Sequence, residues 1–464
     1  MTTPTLLWLR RDLRLDDHPA LYAALGRRGP VIPVFILDPE TEALGAAHRW
    51  RLAESLDSLG KALEGLGSRL VLRRGDALET LRALAQETGA TGVRWSRLYD
   101  RAARARDEKV KAALKEDGLD VRSCNGSLIF EPWEVETQAG GFYKVYSPFA
   151  RAARALEIPE PLSPVGAIPA PDEWPASDAL SDWALGADMR RGAAVLARHA
   201  AVGEEAARDR LDAFLEDKAE AYKAERDRLD LDACSGLSEN LAYGEISPRR
   251  IWQATRDRGP DGKGSEHFLS EVLWREFAYH LVHHTPRIET GNWREEWDAF
   301  PWRDDNADAE AWRRGMTGVD LVDAAMREVY VTGRMHNRAR MLVASYLTKH
   351  LMTHWRVGEA WFRDVLTDWD PASNAMGWQW TAGSGPDAAP FFRIFNPDGQ
   401  AEKFDAEARY RDHWLKGKGA EEFYAAIPKS WGIDAQTRRP AEPIMPLKPG
   451  RERALEAYEA LKAA

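Results

Sequence analysis

Cysteine is almost absent from this chain of 464 residues: Cys124 and Cys234 are the only two. Two thiols so far apart cannot build a disulfide framework or a four-thiolate cluster. A run of about 18 apolar residues is also missing, which excludes an apolar membrane-spanning helix. There is no basic excess, since 64 Lys and Arg face 74 Asp and Glu for a net charge of −10. A coat protein for nucleic acid would be basic throughout, whereas a small cationic mouth on an acidic body is compatible with this balance. Met1-Thr2-Thr3-Pro4 lacks the charged start of a secretory signal, so a cytoplasmic protein is expected.

What is present points to a folded, divided chain. A hydrophobic share of 44% is that of a globular protein, and the length suggests two or three domains. From Thr5 to about Ser127, short apolar strands alternate with amphipathic helices. Leu6–Leu9, Val31–Leu37, Leu70–Leu72 and Val93–Trp95 read as strands. Helices are expected over His48–Leu66, Ala77–Glu87 and Ala102–Lys115, with Leu52, Leu56, Leu59 and Leu63 on one buried face. That alternation predicts a doubly wound parallel sheet. No GxGxxG follows the first strand; the run Arg10 to Asp17 does, and Pro19 suits the first turn of the next helix. Six prolines between Pro159 and Pro175 mark irregular chain, and beyond about Met189 the pattern is helical. The expected fold class is α/β plus all-α. An α/β domain covers residues 1–130, a long connector 131–189 and an all-helical domain 190–464.

Tryptophan is abundant, with 19 residues, thirteen of them from Trp252 onward. Core packing is the ordinary role for any one of them. Four stretches offer more. Cys234-Ser235-Gly236-Leu237-Ser238 precedes a helix expected near Glu239, and small hydroxyl residues around a glycine there can present N–H groups to a phosphate. An ordinary Ser N-cap would leave the same pattern. Asp368-Trp369-Asp370-Pro371 ends in an N-cap and first-turn pair, which predicts a helix carrying Asn374 and Trp378 on one face. In Arg334 to Met341, Asn337 and Met341 share a face; a solvated charge run is the usual role of such arginines, while in a pocket Arg340 could pair with Asp368 or Asp370, or Arg338 could meet a DNA phosphate. His336 is read as structural. Glu271 and Trp274, with Arg275 beside them, could stack on a base and hydrogen-bond its edge.

Six motifs stand in register with one family. They are Leu7 to Arg14, Ser235–Ser238 with Gly244–Pro248, Trp274–Phe277, Met335–Arg338, Gly377–Trp380 and Phe392–Pro397. Over nearly its whole length the chain resembles the photolyase/cryptochrome family, and most nearly class I cyclobutane pyrimidine dimer photolyases. The resemblance implies FAD in the helical domain and DNA carrying a pyrimidine dimer as substrate. The dimer would be split by an electron from photoexcited reduced FAD; the alternative is an FAD-binding blue-light sensor signalling through a protein partner. It implies no metal, no membrane and no obligate protein partner, and a monomer.

Residue by residue, the resemblance assigns FAD to Tyr222, Cys234, Ser235, Gly236, Leu237, Ser238, Arg275, Arg340, Asp368, Trp369, Asp370 and Asn374, with Asn374 facing flavin N5. Cys234 stands where Thr is frequent. Glu271, Asn337, Met341 and Asn374 would be catalytic. Trp274 and Trp380 would wall the lesion pocket, and Arg226, Glu271, Arg275, Asn337, Arg338, Arg393 and Gln400 would meet DNA. Trp302, Trp355 and Trp378 match an electron relay to FAD. Photolyases of the six-four type carry histidines at the positions of Asn337 and Met341, and plant cryptochromes tend to have Asp at that of Asn374. The chain departs from many relatives at Arg334, where they have tryptophan. Ala102-Ala103 and Thr290 replace the Asn-Glu pair and the lysine of folate-binding relatives. That argues against folate as a second, antenna chromophore and leaves a deazaflavin or flavin antenna, or none.

Overall fold

The computed structural model describes residues 3–387, 391 and 393–463. Phe392, which opens the last motif, lies outside them. The N-terminal part is a five-stranded parallel sheet of β1 (Thr5–Leu9), β2 (Val31–Leu37), β3 (Val71–Arg74), β4 (Gly92–Ser96) and β5 (Asp120–Cys124), in the order β3-β2-β1-β4-β5. Leu6 of the central strand pairs with Ile32 on one side and Val93 on the other. Such strands are buried on both faces, which is why they read as unbroken apolar runs. Leu7, Leu9, Phe35 and Leu37 pack under α2 (Ala46–Gly65) through Leu52, Leu56, Leu59 and Leu63. Leu6, Trp8, Val34 and Ile36 face α3 (Ala77–Thr88) and α4 (Arg101–Glu116) through Leu81, Leu84, Val110 and Leu114. Between β1 and β2, α1 (Pro19–Leu25) starts on Pro19, capped by the His18 side chain.

The fifth strand is a correction to the sequence reading, which found four. β5 lies at the sheet edge and pairs only with β4. Its sequence, Asp-Val-Arg-Ser-Cys, mixes exposed and buried positions instead of forming an apolar run, so the signal that marked its neighbours is absent.

The connector also holds more structure than its prolines suggest. Residues 157–179 form no helix or strand, as expected. Ahead of them, α5 (Tyr146–Ala155) docks Tyr146 and Phe149 against Phe277 of α7 (Lys263–His284). The two domains are pinned by buried charge. Arg51 on α2, with no exposed surface, bridges Glu239 and Glu245, the first of them on α6 (Ser238–Tyr243). Gly244, at φ +67°, lets the Arg11 backbone approach to where a Cβ would collide. Among the described residues no helix is long and apolar enough to cross a membrane.

Candidate functional site

Three helices of the second domain build the site: α8 (Asn337–Ser345), α9 (Trp355–Val365) and α10 (Pro371–Ala382). α10 begins as its sequence predicts, with Asp370 accepting from the Ser373 N–H at 2.7 Å and Pro371 in the first turn. That start places Asn374 and Trp378 one turn apart. Trp378 lies so close to α9 that a Cβ on Gly358 would meet its ring carbon Cη2 at 2.1 Å. Only glycine fits there. α8 is capped by His336, whose Nδ1 accepts from the Arg338 N–H at 3.1 Å. Burial keeps that imidazole neutral, its pKa pushed down to about 4. His336 is structural, as read.

A cavity between these helices is lined by Asn337, Arg340, Met341, Asp368, Trp369, Asp370, Asn374 and Trp378, among others. Asp368 organises its polar wall. Oδ2 accepts from Ser238 Oγ and from Arg340 Nη2, both at 2.7 Å. Oδ1 is buried with no protein donor. An unmet buried acceptor costs about 1–3 kcal/mol, so it marks a place for a ligand's hydrogen-bond donor. Ser238 thus serves Asp368 and not its own helix: α6 has no side-chain cap, against the ordinary N-cap alternative. Asn374 Nδ2 donates to Glu359 Oε1 at 3.1 Å. Burial raises Glu359 above the usual carboxylate range, opposed by Arg363 and by that hydrogen bond.

The second cluster lies on α7. Trp274 is stacked flat on Tyr146 of α5, with centroids 3.6 Å apart and planes 8° from parallel. Tyr146 is itself held by its hydroxyl on the Ser270 carbonyl at 2.7 Å. One ring face of Trp274 is therefore taken and the indole is fixed. Glu271 pairs with Arg226 and has His267 Nε2 at 3.7 Å. Tyr222 is buried between Phe214 and Phe268, with Arg226 over its ring. Cys234 Sγ lies 3.8 Å from His336 Nε2.

Among the described residues, the other expected contacts separate into exposed or half-buried and engaged. Arg393 is exposed, while Trp380 and Gln400 are half-buried. Arg338 is ion-paired with Asp227 at 2.5 Å and lies over Phe404. Arg275 donates to the Ser127 carbonyl at 2.7 Å and covers Tyr279, which ties α7 to the end of the first domain.

Comparison with known proteins finds relatives over nearly the full length of the chain. Residues 5–169 match DNA photolyase, and residues 268–460 match the FAD binding domain of DNA photolyase. The deoxyribodipyrimidine photo-lyase of Agrobacterium fabrum is 45% identical, covering 99% of this chain and 98% of that one. The chain belongs to the photolyase/cryptochrome family. A crystal structure of a bacterial class III photolyase from Agrobacterium tumefaciens superposes with a TM-score of 0.92 at 44% identity, covering 100% of this chain and 98% of that one. The motifs alone had suggested class I. An archaeal photolyase from Sulfolobus tokodaii, described with two FAD molecules, gives a TM-score of 0.82 at 26% identity over 99% and 100% of the two chains.

For a photolyase-family chain, the cavity residues fit FAD: Asp368 offers an unmet acceptor and Arg340 is oriented by that same carboxylate. The three tryptophans expected to form a relay differ in depth. Trp378 and Trp355 are 3% and 1% exposed, and Trp302 is half-buried. Trp355 sits one turn before Gly358 and donates to Asn292 Oδ1 at 2.8 Å. The His354 ring lies 5.4 Å from Trp302 and 5.5 Å from Trp355. In the sheet domain, the mouth between β1 and β4 where such folds take ligands is occupied by Arg10. It rests on Trp8 and pairs with Asp107 at 3.1 Å. Sequence reading missed Tyr146, Asp227 and Glu359. Each acts through a partner remote in sequence, and no local motif signals it.

Proposed function

We propose that the protein binds DNA containing a cyclobutane pyrimidine dimer and splits the dimer in light, with FAD in the helical domain. The observation that carries this reading is one cavity that joins the Asp368–Arg340–Asn374 wall to Asn337 and Met341. Residues for the cofactor and for the lesion thus share a single space. When bound, FAD supplies light absorption and an electron donor.

The chain's own residues supply the rest. Asp368 and Arg340 hold the polar edge of the cofactor, and Ser238 and the loop from Cys234 face its phosphates. Asn374, steadied by Glu359, sets the polarity beside the flavin ring. Trp274 offers one free face to a base pushed out of the duplex, and Tyr146 keeps that face from rotating. Glu271, held by its ion pair with Arg226, can hydrogen-bond the base edge. Arg393 meets the DNA backbone. Trp302, Trp355 and Trp378 refill the cofactor with electrons from the surface. A cytoplasmic protein working without an obligate protein partner fits this role.

The test is recovery of thymine absorbance in ultraviolet-damaged oligothymidylate. Purified protein should restore it under blue light and not in darkness. A flavin-loaded protein that leaves dimers intact in light would reject repair in favour of sensing.

A further inference from the structure

The site as described leaves Arg334 without a task. It follows Gly333, just ahead of α8, and its guanidinium reaches back to the loop that precedes α6. A Cβ on Gly236 would stand 3.9 Å from Arg334 Nη1 and 3.7 Å from Arg210 Nε. Two guanidiniums therefore converge on one glycine.

They differ in what already holds them. Arg210 Nη1 donates to the Gly236 carbonyl at 3.1 Å, and to Glu239 and Asn240 Oδ1, each at 2.9 Å. Its neighbours in the run from Arg334 are also engaged, Arg338 by Asp227 and Arg340 by Asp368. Arg334 is half-buried and, among the described residues, makes no ion pair and no side-chain hydrogen bond. Glu328 is close enough to feel its charge, but that carboxylate is taken by the Tyr410 hydroxyl.

The carboxylates beside Arg210 are spent as well. Arg51 and Arg210 share Glu239, and Arg51 also holds Glu245, so neither carboxylate is left for Arg334. A half-buried guanidinium with none of its donors used suits a negative ligand. Guanidinium is well suited to phosphate oxygens through paired N–H donors.

We infer that Arg334 is a clamp on the diphosphate of FAD, reaching over Gly236 to the phosphate held by the Cys234–Ser238 loop. The inference rests on the reading that this loop holds the phosphates. It makes cofactor retention a matter of charge at one arginine as well as of shape in the cavity.

The experiment follows release of FAD from the purified, FAD-loaded protein by its rise in fluorescence, over a series of NaCl concentrations. The parent is compared with Arg334→Ala, Arg334→Lys and Ser238→Ala, with far-ultraviolet circular dichroism confirming the fold of each. Arg334→Ala should release FAD roughly tenfold faster at low salt, as expected on losing one charge-assisted contact. Its difference from the parent should shrink as salt rises, because salt already weakens the contact in the parent. Arg334→Lys should restore most of the retention. Release at the parental rate from Arg334→Ala, with faster release from Ser238→Ala, overturns the clamp and leaves the loop reading standing. Parental release from both overturns the loop reading and the clamp with it. Faster release from Arg334→Ala that is the same at every salt and unrelieved by lysine shows a packing role and also overturns the clamp.

Discussion

Two arginine-rich runs look alike in the sequence and do opposite work. In the sheet domain, Arg10, Arg11 and Arg14 follow β1 within five residues. Arg10 pairs with Asp107 and lies on Trp8, and Arg11 pairs with Asp100. Arg14, 2% exposed, donates to the carbonyls of Asp16, Asp17, Gly126 and Gly244 at 2.7–3.0 Å. This run braces the first domain internally and ties it to the second at Gly244. In the helical domain, Arg340 borders the cavity on Asp368, Arg338 is held by Asp227 nearer the surface, and Arg334 is uncommitted. The lesson is that an arginine's role is read from which of its donors are already used. A guanidinium held by carboxylates and carbonyls braces; one with none of its donors used is open to a ligand.

The largest effect should come from cutting the brace. Arg14→Met strands four buried carbonyls, each costing about 1–3 kcal/mol, so the total loss of stability should exceed about 3 kcal/mol. Chemical unfolding would measure it, and a loss below about 1 kcal/mol would break the comparison by showing Arg14 to be dispensable.

On the helical side, the corresponding change should alter function and spare stability. Trp378→Phe should fold and hold FAD yet lose most photoreduction of the oxidised cofactor, because a phenyl ring is much harder to oxidise than an indole. With FAD reduced chemically it should still split dimers. Absorbance during illumination checks the first point and thymine recovery the second. Normal photoreduction would remove Trp378 from the relay.

The third prediction concerns Glu276, the buried carboxyl between the two regions, which accepts from the Ile129 and Phe130 N–H groups. Burial pushes its pKa up to about 7, with Arg275 and those two amides opposing. The folded state then keeps a proton that the unfolded chain has released. Stability should accordingly fall as pH rises from about 4.5 to about 7. Glu276→Gln accepts the same bonds without ionising, so it should make the fall shallower in unfolding titrations. Glu289 and Glu328, raised in the same way, should retain part of it. An unchanged slope would show that Glu276 ionises freely in the folded protein.

The smallest effect separates two arginines of one surface. Arg393→Ala should flatten the salt dependence of damaged-DNA binding by about one unit of log–log slope. Arg338→Ala should change it less, because Asp227 already neutralises that side chain. Equal slopes for both variants would show that Asp227 lets go on binding.

Much of the molecule was legible before any coordinates. Four of five strands, the helix on Asp370-Pro371 and the Asp368–Arg340 pair follow from apolar runs, capping chemistry and charge, all of which act locally or between opposite signs. Six motifs in order were enough to place the chain in its family. The tertiary structure decided what depends on residues meeting across long stretches of chain. It set Tyr146 flat on Trp274, put Glu359 under Asn374, gave Arg338 to Asp227 and left Arg334 beside Gly236. Periodicity and propensity determine which face of an element is buried. They do not determine which polar group waits on the far side of the interface, because that partner is chosen by the packing of elements distant in sequence.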